Sequence, residues 1–184
     1  QVEWLVTLYA EGQDNVTASV TQKLPIVYPS CELRAARTVV RSGPGDPYPA
    51  LVETALGLPV VNFGCMNAGA DVFAGEPVVI HACKHARVTV IQLMGAQNLS
   101  NRFYAVHPRR NDRFLRASTL MKTIFREVDF TDFNFTRHML TTLHLHAPDK
   151  FPILVEELRA AWVARMELLL QRIVGKVLLL WLGP

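Results

Sequence analysis

VTVIQLMGAQNLSNRFYAVHPRRNDRFLRAS, residues 88–118, is the stretch that decides the fold. Val88, Thr89, Val90, Ile91, Leu93 and Met94 predict a strand covered on both faces, and Gly95 lets the backbone turn where the polar groups begin. Ligands of open parallel sheets sit at such carboxyl ends, so the loop that follows is where a site is expected.

Upstream, Pro49 to Leu56 reads as a helix stopped by Gly57, Pro59 to Phe63 as a strand, and Glu76 to Ala86 as a helix with Pro77 in its first turn. With the strand at Val88 this makes a βαβ unit, whose strands run parallel. Downstream, Phe114, Ala117, Met121, Ile124 and Val128 recur at steps of three and four. That spacing predicts a helix from Asp112 to Val128 capped by Asn111. A second helix is expected near Thr131. A third, from Pro152 to Val174, carries Val155, Leu158, Trp162, Met166, Leu169 and Ile173 on one face, and Gly175 separates it from a buried strand, Lys176 to Leu182. The strands at 59–63, 88–94 and 177–182 are expected to be parallel members of one sheet.

The first 46 residues are poorly patterned. Val2, Trp4, Val6 and Leu8 alternate as in a half-buried strand, but no clear period follows, and Ser42 to Asp46 reads as a loop. The organisation expected is therefore an N-terminal segment, 1–46, and a single α/β domain, 47–184. A chain of 184 residues with 50% hydrophobic content supports one sizeable core.

The net charge of +3 is too small to imply a nucleic acid or an anionic membrane. Clustering matters more: within 101–118, Arg102, Arg109, Arg110, Arg113 and Arg116 face only Asp112. Phe103 and Tyr104 adjoin this cluster without forming an interleaved platform, so nucleic-acid binding is not expected. Cys31, Cys65 and Cys83 are an odd number without CxxC spacing, which supports neither a disulfide framework nor a zinc knuckle. No apolar run is long enough to span a bilayer, and the reading is a soluble, cytoplasmic protein that needs no cofactor.

Several residues stand out chemically. Gly64 and Asn67 to Asp71 form a polar loop after a strand, suited either to backbone donors at a ligand or to a tight turn. Gly95, Gln97, Asn98 and Asn101 cluster at the next strand end, where buried amides must find partners, in a ligand or in a structural network. Arg109 and Arg110 follow Pro108 and precede the expected helix; they suit an anion clamp or ion pairs with Asp112 and Asp129. His107 lies in the same loop and is a weak candidate base. His81 and His85 have i, i+4 spacing, but Ala82 follows His81 and the HExxH arrangement is absent, so an exposed helix face is the reading and no metal site is assigned. His144 and His146 close a helix and suit its C-terminal dipole.

Beyond these readings, Asn62-Phe63-Gly64 through Asp71-Val72-Phe73, MGAQN at 94–98, the run 101–118, FREVDFTDFNFTRHML at 125–140 and AWVARM at 161–166 resemble a bacterial domain family of unknown function. That family is in turn distantly similar to the SGNH (GDSL-type) hydrolases. The resemblance implies a flavodoxin-like parallel sheet with helices on both faces and an ester hydrolase acting on carbohydrate-linked esters. By the same resemblance Gly64 matches the second-strand glycine, and Gln97 or Asn98 supplies an oxyanion donor. Departures accompany it. No GDS motif follows a first strand, Ser42 is the only serine in a corresponding place, and no DxxH follows the last strand. The chain is accordingly expected to lack the family's first strand and to be catalytically silent. The alternative is a non-catalytic binding domain that holds a small-molecule or glycan ligand, an anionic glycan, nucleotide or protein partner, through the Arg-rich loop.

Overall fold

The computed structural model describes residues 5–8, 10–11 and 48–180. In chain order the elements are β1 (Leu5–Leu8), β2 (Ala10–Glu11), α1 (Tyr48–Leu56), β3 (Val60–Asn62), β4 (Cys65–Met66), α2 (Ala70–Ala74), α3 (Pro77–His85), β5 (Val88–Gln92), β6 (Tyr104–His107), β7 (Arg110–Ala117), α4 (Thr119–Ile124), a 3-10 turn (Phe130–Asp132), α5 (Thr136–His146), α6 (Phe151–Arg172) and β8 (Lys176–Leu180). The chain divides into two compact units, Gln1–Met66 with Glu76–Leu93 and Ile173–Pro184, and Asn67–Gly75 with Met94–Arg172.

The first unit is an α/β arrangement on a four-stranded sheet of order β3-β1-β5-β8. Every pairing in it is parallel, as expected for the three downstream strands. β1 comes from the weakly patterned first 46 residues and takes an inner position, with Leu5 opposite both Val60 and Val88. Past β1 and β3 the pairing resumes in a short parallel ladder, Ala10 with Cys65 and Glu11 with Met66. α1 stops where the sequence places its glycine. Gly57 sits at φ +63°, a conformation that costs a side chain-bearing residue, and its N–H returns to the Glu53 carbonyl at 2.9 Å.

β5 is less enclosed than its apolar run suggests. Thr89 and Ile91 are buried, Ile91 completely, while Val88, Val90 and Gln92 are half-buried. β8 departs further from expectation: Leu178 is 55% and Leu179 47% exposed, although consecutive residues point to opposite faces. Among the described residues β8 ends the strand order and pairs with β5 alone, a position that leaves its side chains less covered.

In the second unit β6 and β7 form an antiparallel hairpin, and the helix expected over 112–128 is not there. Its first half is β7; its second half is α4, capped by Ser118, whose hydroxyl accepts from Met121 N at 3.2 Å. The difference has a physical cause. The register shifts twice, between Ala105 and Val106 and between Val106 and His107, and the extra residues fall on β7. Asn111, Phe114 and Ala117 are therefore buried at steps of three, a spacing that imitates a helical stripe.

The core of this unit gathers Tyr104, Phe114, Met121, Phe125, Phe130, Phe133, Met139, Leu143 and Leu154. Tyr104, Phe114, Phe130 and Phe133 run ring to ring at 6.2 to 6.4 Å. Each such side chain contributes roughly 1.5–3 kcal/mol by burial, against about 1 kcal/mol net for a satisfied hydrogen bond, so apolar packing dominates and the polar groups set register. α6 buries Leu154, Leu158, Met166 and Leu169. The Trp162 indole N–H reaches the Met94 carbonyl at 2.7 Å. Among the described residues no helix is long and apolar enough to cross a membrane.

Candidate functional site

Within the second unit the loop at 67–69 and the loop at 95–101 are tied together by amides. Asn67 takes φ 56°, a left-handed conformation that asparagine tolerates, and its carbonyl accepts from Asn98 Nδ2 at 3.0 Å. Asn98 Oδ1 accepts from the Thr136 hydroxyl at 3.1 Å, and that hydroxyl also lies 3.3 Å from the Asp112 carbonyl. Gly69 donates its N–H to Asn111 Oδ1 at 2.8 Å, and Asn111 Nδ2 donates to the His107 carbonyl at 3.0 Å. Asn98, Asn111 and Thr136 are all buried. Their amides and hydroxyl knit four segments of chain, so the clustered amides read from sequence include a structural network. Asn111 is its centre and not a helix cap.

Asn101 also works locally. Its Oδ1 accepts from Phe103 N at 2.8 Å and Tyr104 N at 3.1 Å, and its Nδ2 donates to Leu99 O. Gln97 differs: its side chain is exposed and lies against the Cα of Gly95, while its carbonyl accepts from the Tyr104 hydroxyl at 2.7 Å. Burial pushes that hydroxyl well above the ordinary tyrosine range. Gly64 belongs to the first unit, where its N–H donates to Asn62 Oδ1 at 2.8 Å. Ser42 lies outside the described residues.

His107, Pro108, Arg109 and Arg110 form the hairpin tip. No helix starts after the arginines, which removes the helix-dipole contribution expected for them. Both Arg109 N and Arg110 N donate to His107 Nδ1 at 3.2 Å, so the neutral ring carries its proton on Nε2. Of the two expected ion pairs, Arg110 with Asp112 is present at 3.6 Å. Asp129 instead accepts from Thr131 N and Oγ1, and those bonds hold its carboxyl below the usual range.

Arg113 and Arg116 continue the basic surface along β7, both exposed, and the Arg113 guanidinium lies 6.0 Å from the centroid of Phe135, an aromatic ring 45% exposed. Arg102 alone is committed elsewhere. Its Nε reaches Glu157 Oε2 at 2.6 Å and its N–H reaches Oε1 at 3.1 Å. Burial works to raise the Glu157 carboxyl, but the bonds and charge of Arg102 prevail and hold it below the usual range. Among the described residues no group of three histidine, cysteine or acidic side chains is placed to hold a metal ion.

A family model covers residues 37–184 of this surface and its scaffold. The chain belongs to the domain of unknown function DUF6473. The DUF6473 region takes in the amide network, the basic hairpin and every strand from β3 to β8. No curated protein and no solved structure matches the chain. Thr136, and the pairing of Gly69 with Asn111, escaped sequence reading because the partners lie 38 and 42 residues away in the chain, and no local spacing signals such a pairing.

Proposed function

We propose that this chain is a non-catalytic α/β binding domain that holds an anionic glycan on the β6–β7 hairpin. One observation carries the reading: Arg109, Arg110, Arg113 and Arg116 are exposed together, and among the described residues only Arg110 has a carboxylate within ion-pair distance. Guanidinium groups suit planar carboxylates and sulfates, and the Phe135 ring beside Arg113 offers an apolar face to a sugar. A nucleic acid is disfavoured because Phe103 and Tyr104, the aromatics that would stack bases, are each only 2% exposed. The buried thiol of Cys83 fits a reducing, cytoplasmic setting. The test is binding of a sulfated oligosaccharide to the whole chain and to Arg113→Gln/Arg116→Gln over a salt series. Weaker binding and a shallower salt dependence in the variant are expected. Equal binding by both proteins sinks the reading.

A second reading, an SGNH-like ester hydrolase, is favoured by the strand order. Counted among the parallel strands of the main sheet, β3-β1-β5-β8 is second, first, third, fourth, the order of flavodoxin-like folds. In that reading the exposed Gln97 amide supplies an oxyanion donor and His107 is the weak candidate base.

A further inference from the structure

α3 carries a feature that neither reading uses. His81 and His85 are exposed one helical turn apart, with ring centroids separated by 4.4 Å and planes inclined at 37°. His85 Nδ1 lies 2.8 Å from the carbonyl oxygen of His81. A carbonyl oxygen only accepts, so Nδ1 bears the proton, and in the neutral ring Nε2 keeps its lone pair. Imidazoles that ligate metals are commonly oriented in this way, by a carbonyl on the other ring N–H.

We infer that His81 and His85 form a two-nitrogen chelating site for a borderline divalent transition metal. Metal–nitrogen distances of about 2.0–2.1 Å bring two cis ligands to roughly 3 Å from each other. Rings whose centroids are 4.4 Å apart meet that condition when their Nε2 edges converge. No third protein ligand completes the site among the described residues, so water fills the remaining positions and the ion exchanges freely. Imidazole suits copper, nickel and zinc, and the order of divalent affinities places Cu(II) above Ni(II) and Zn(II). Exposed Lys84, between the two histidines, adds a like charge that moderates the affinity. The bound ion would bridge the last turn of α3, which ends at His85 immediately before β5.

The experiment is calorimetric titration of the whole chain with Ni(II), repeated with Zn(II) and Cu(II), together with thermal unfolding in the presence of each ion. His81→Gln and His85→Gln lie at exposed positions, and their unfolding midpoints without metal verify that they fold. Each single variant is expected to weaken binding by about tenfold or more and to abolish the metal-induced rise in midpoint, because one of two ligands is gone. The double variant should lose no more than either single one, the signature of a chelate, and His144→Gln/His146→Gln should bind as the parent does. Binding and midpoint rise that survive in either single variant would overturn the inference, whichever other groups take the ion. So would a parent chain that binds no more tightly than the double variant.

Discussion

Gly69 packs its Cα against the backbone carbonyl of Asn98 so closely that no Cβ fits between them, and its N–H is held by Asn111. A Cβ there would also stand 3.0 Å from both Asn111 Oδ1 and the Leu99 side chain. The obstacle is backbone, which cannot rotate away as a side chain end does. Gly69→Ala is expected to destabilise the protein by about 2–4 kcal/mol, the upper range for overpacking. Urea unfolding measures it; a loss below about 0.5 kcal/mol, the level of a neutral surface change, would contradict the close approach.

Asn111 tests the network from the other side. Asn111→Ala strands the buried Gly69 N–H and removes a donor from the His107 carbonyl, so a loss of about 1–3 kcal/mol is expected. Asn111→Asp keeps the acceptor but turns a carboxylate toward the His107 and Pro108 carbonyls. It should be at least as harmful at neutral pH and recover as the carboxylate is protonated in acid. An aspartate variant as stable as the parent at pH 7 would refute this assignment of the amide.

The strands and the long C-terminal helix were legible because their signals are local: apolar runs at 60–62, 88–92 and 176–180, a glycine at φ +63° after α1, and a 3.6-residue stripe on α6. β7 was not, because two register shifts gave a strand the spacing of a helix. The inner position of β1 was equally hidden, since parallel pairing partners lie 55 and 83 residues away and leave no local trace. At the site, the amides were visible as residue types but not as a network. Whether Asn98 faces a ligand or Thr136 depends on a contact across 38 residues.

Cys83 sets a pH dependence. The thiol is 1% exposed, and burial pushes it from 9.0 up to about 11, against a smaller opposing effect of its hydrogen bond to Thr89. Between those values the unfolded chain has released the proton and the folded chain has not, so the folded state binds more protons and stability falls as pH rises from 9 toward 11. Below 9 the group contributes no slope. Denaturation midpoints across that range should decline less steeply in Cys83→Ser or Cys83→Ala than in the parent, and in the folded parent Cys83 should resist a thiol reagent at pH 8. Identical slopes in parent and variants would remove Cys83 as the cause.

The two functional readings separate on esters. A serine hydrolase needs a nucleophile, a base within hydrogen-bond reach and oxyanion donors together. His107 spends Nδ1 on two backbone N–H groups at the hairpin tip, which leaves only the protonated Nε2 outward, a donor and not a base. To accept a proton at Nε2 the neutral ring would have to shift its hydrogen to Nδ1 and give up both bonds. The chain is therefore expected to hydrolyse p-nitrophenyl acetate and acetylated sugars no faster than His107→Ala, Gln97→Ala and Ser42→Ala prepared in parallel. Oxyanion donors alone can leave some residual rate, so the comparison among variants decides, rather than the absolute value. Turnover abolished by both Ser42→Ala and His107→Ala would establish a working nucleophile and base, and would replace the glycan-binding reading with the hydrolase.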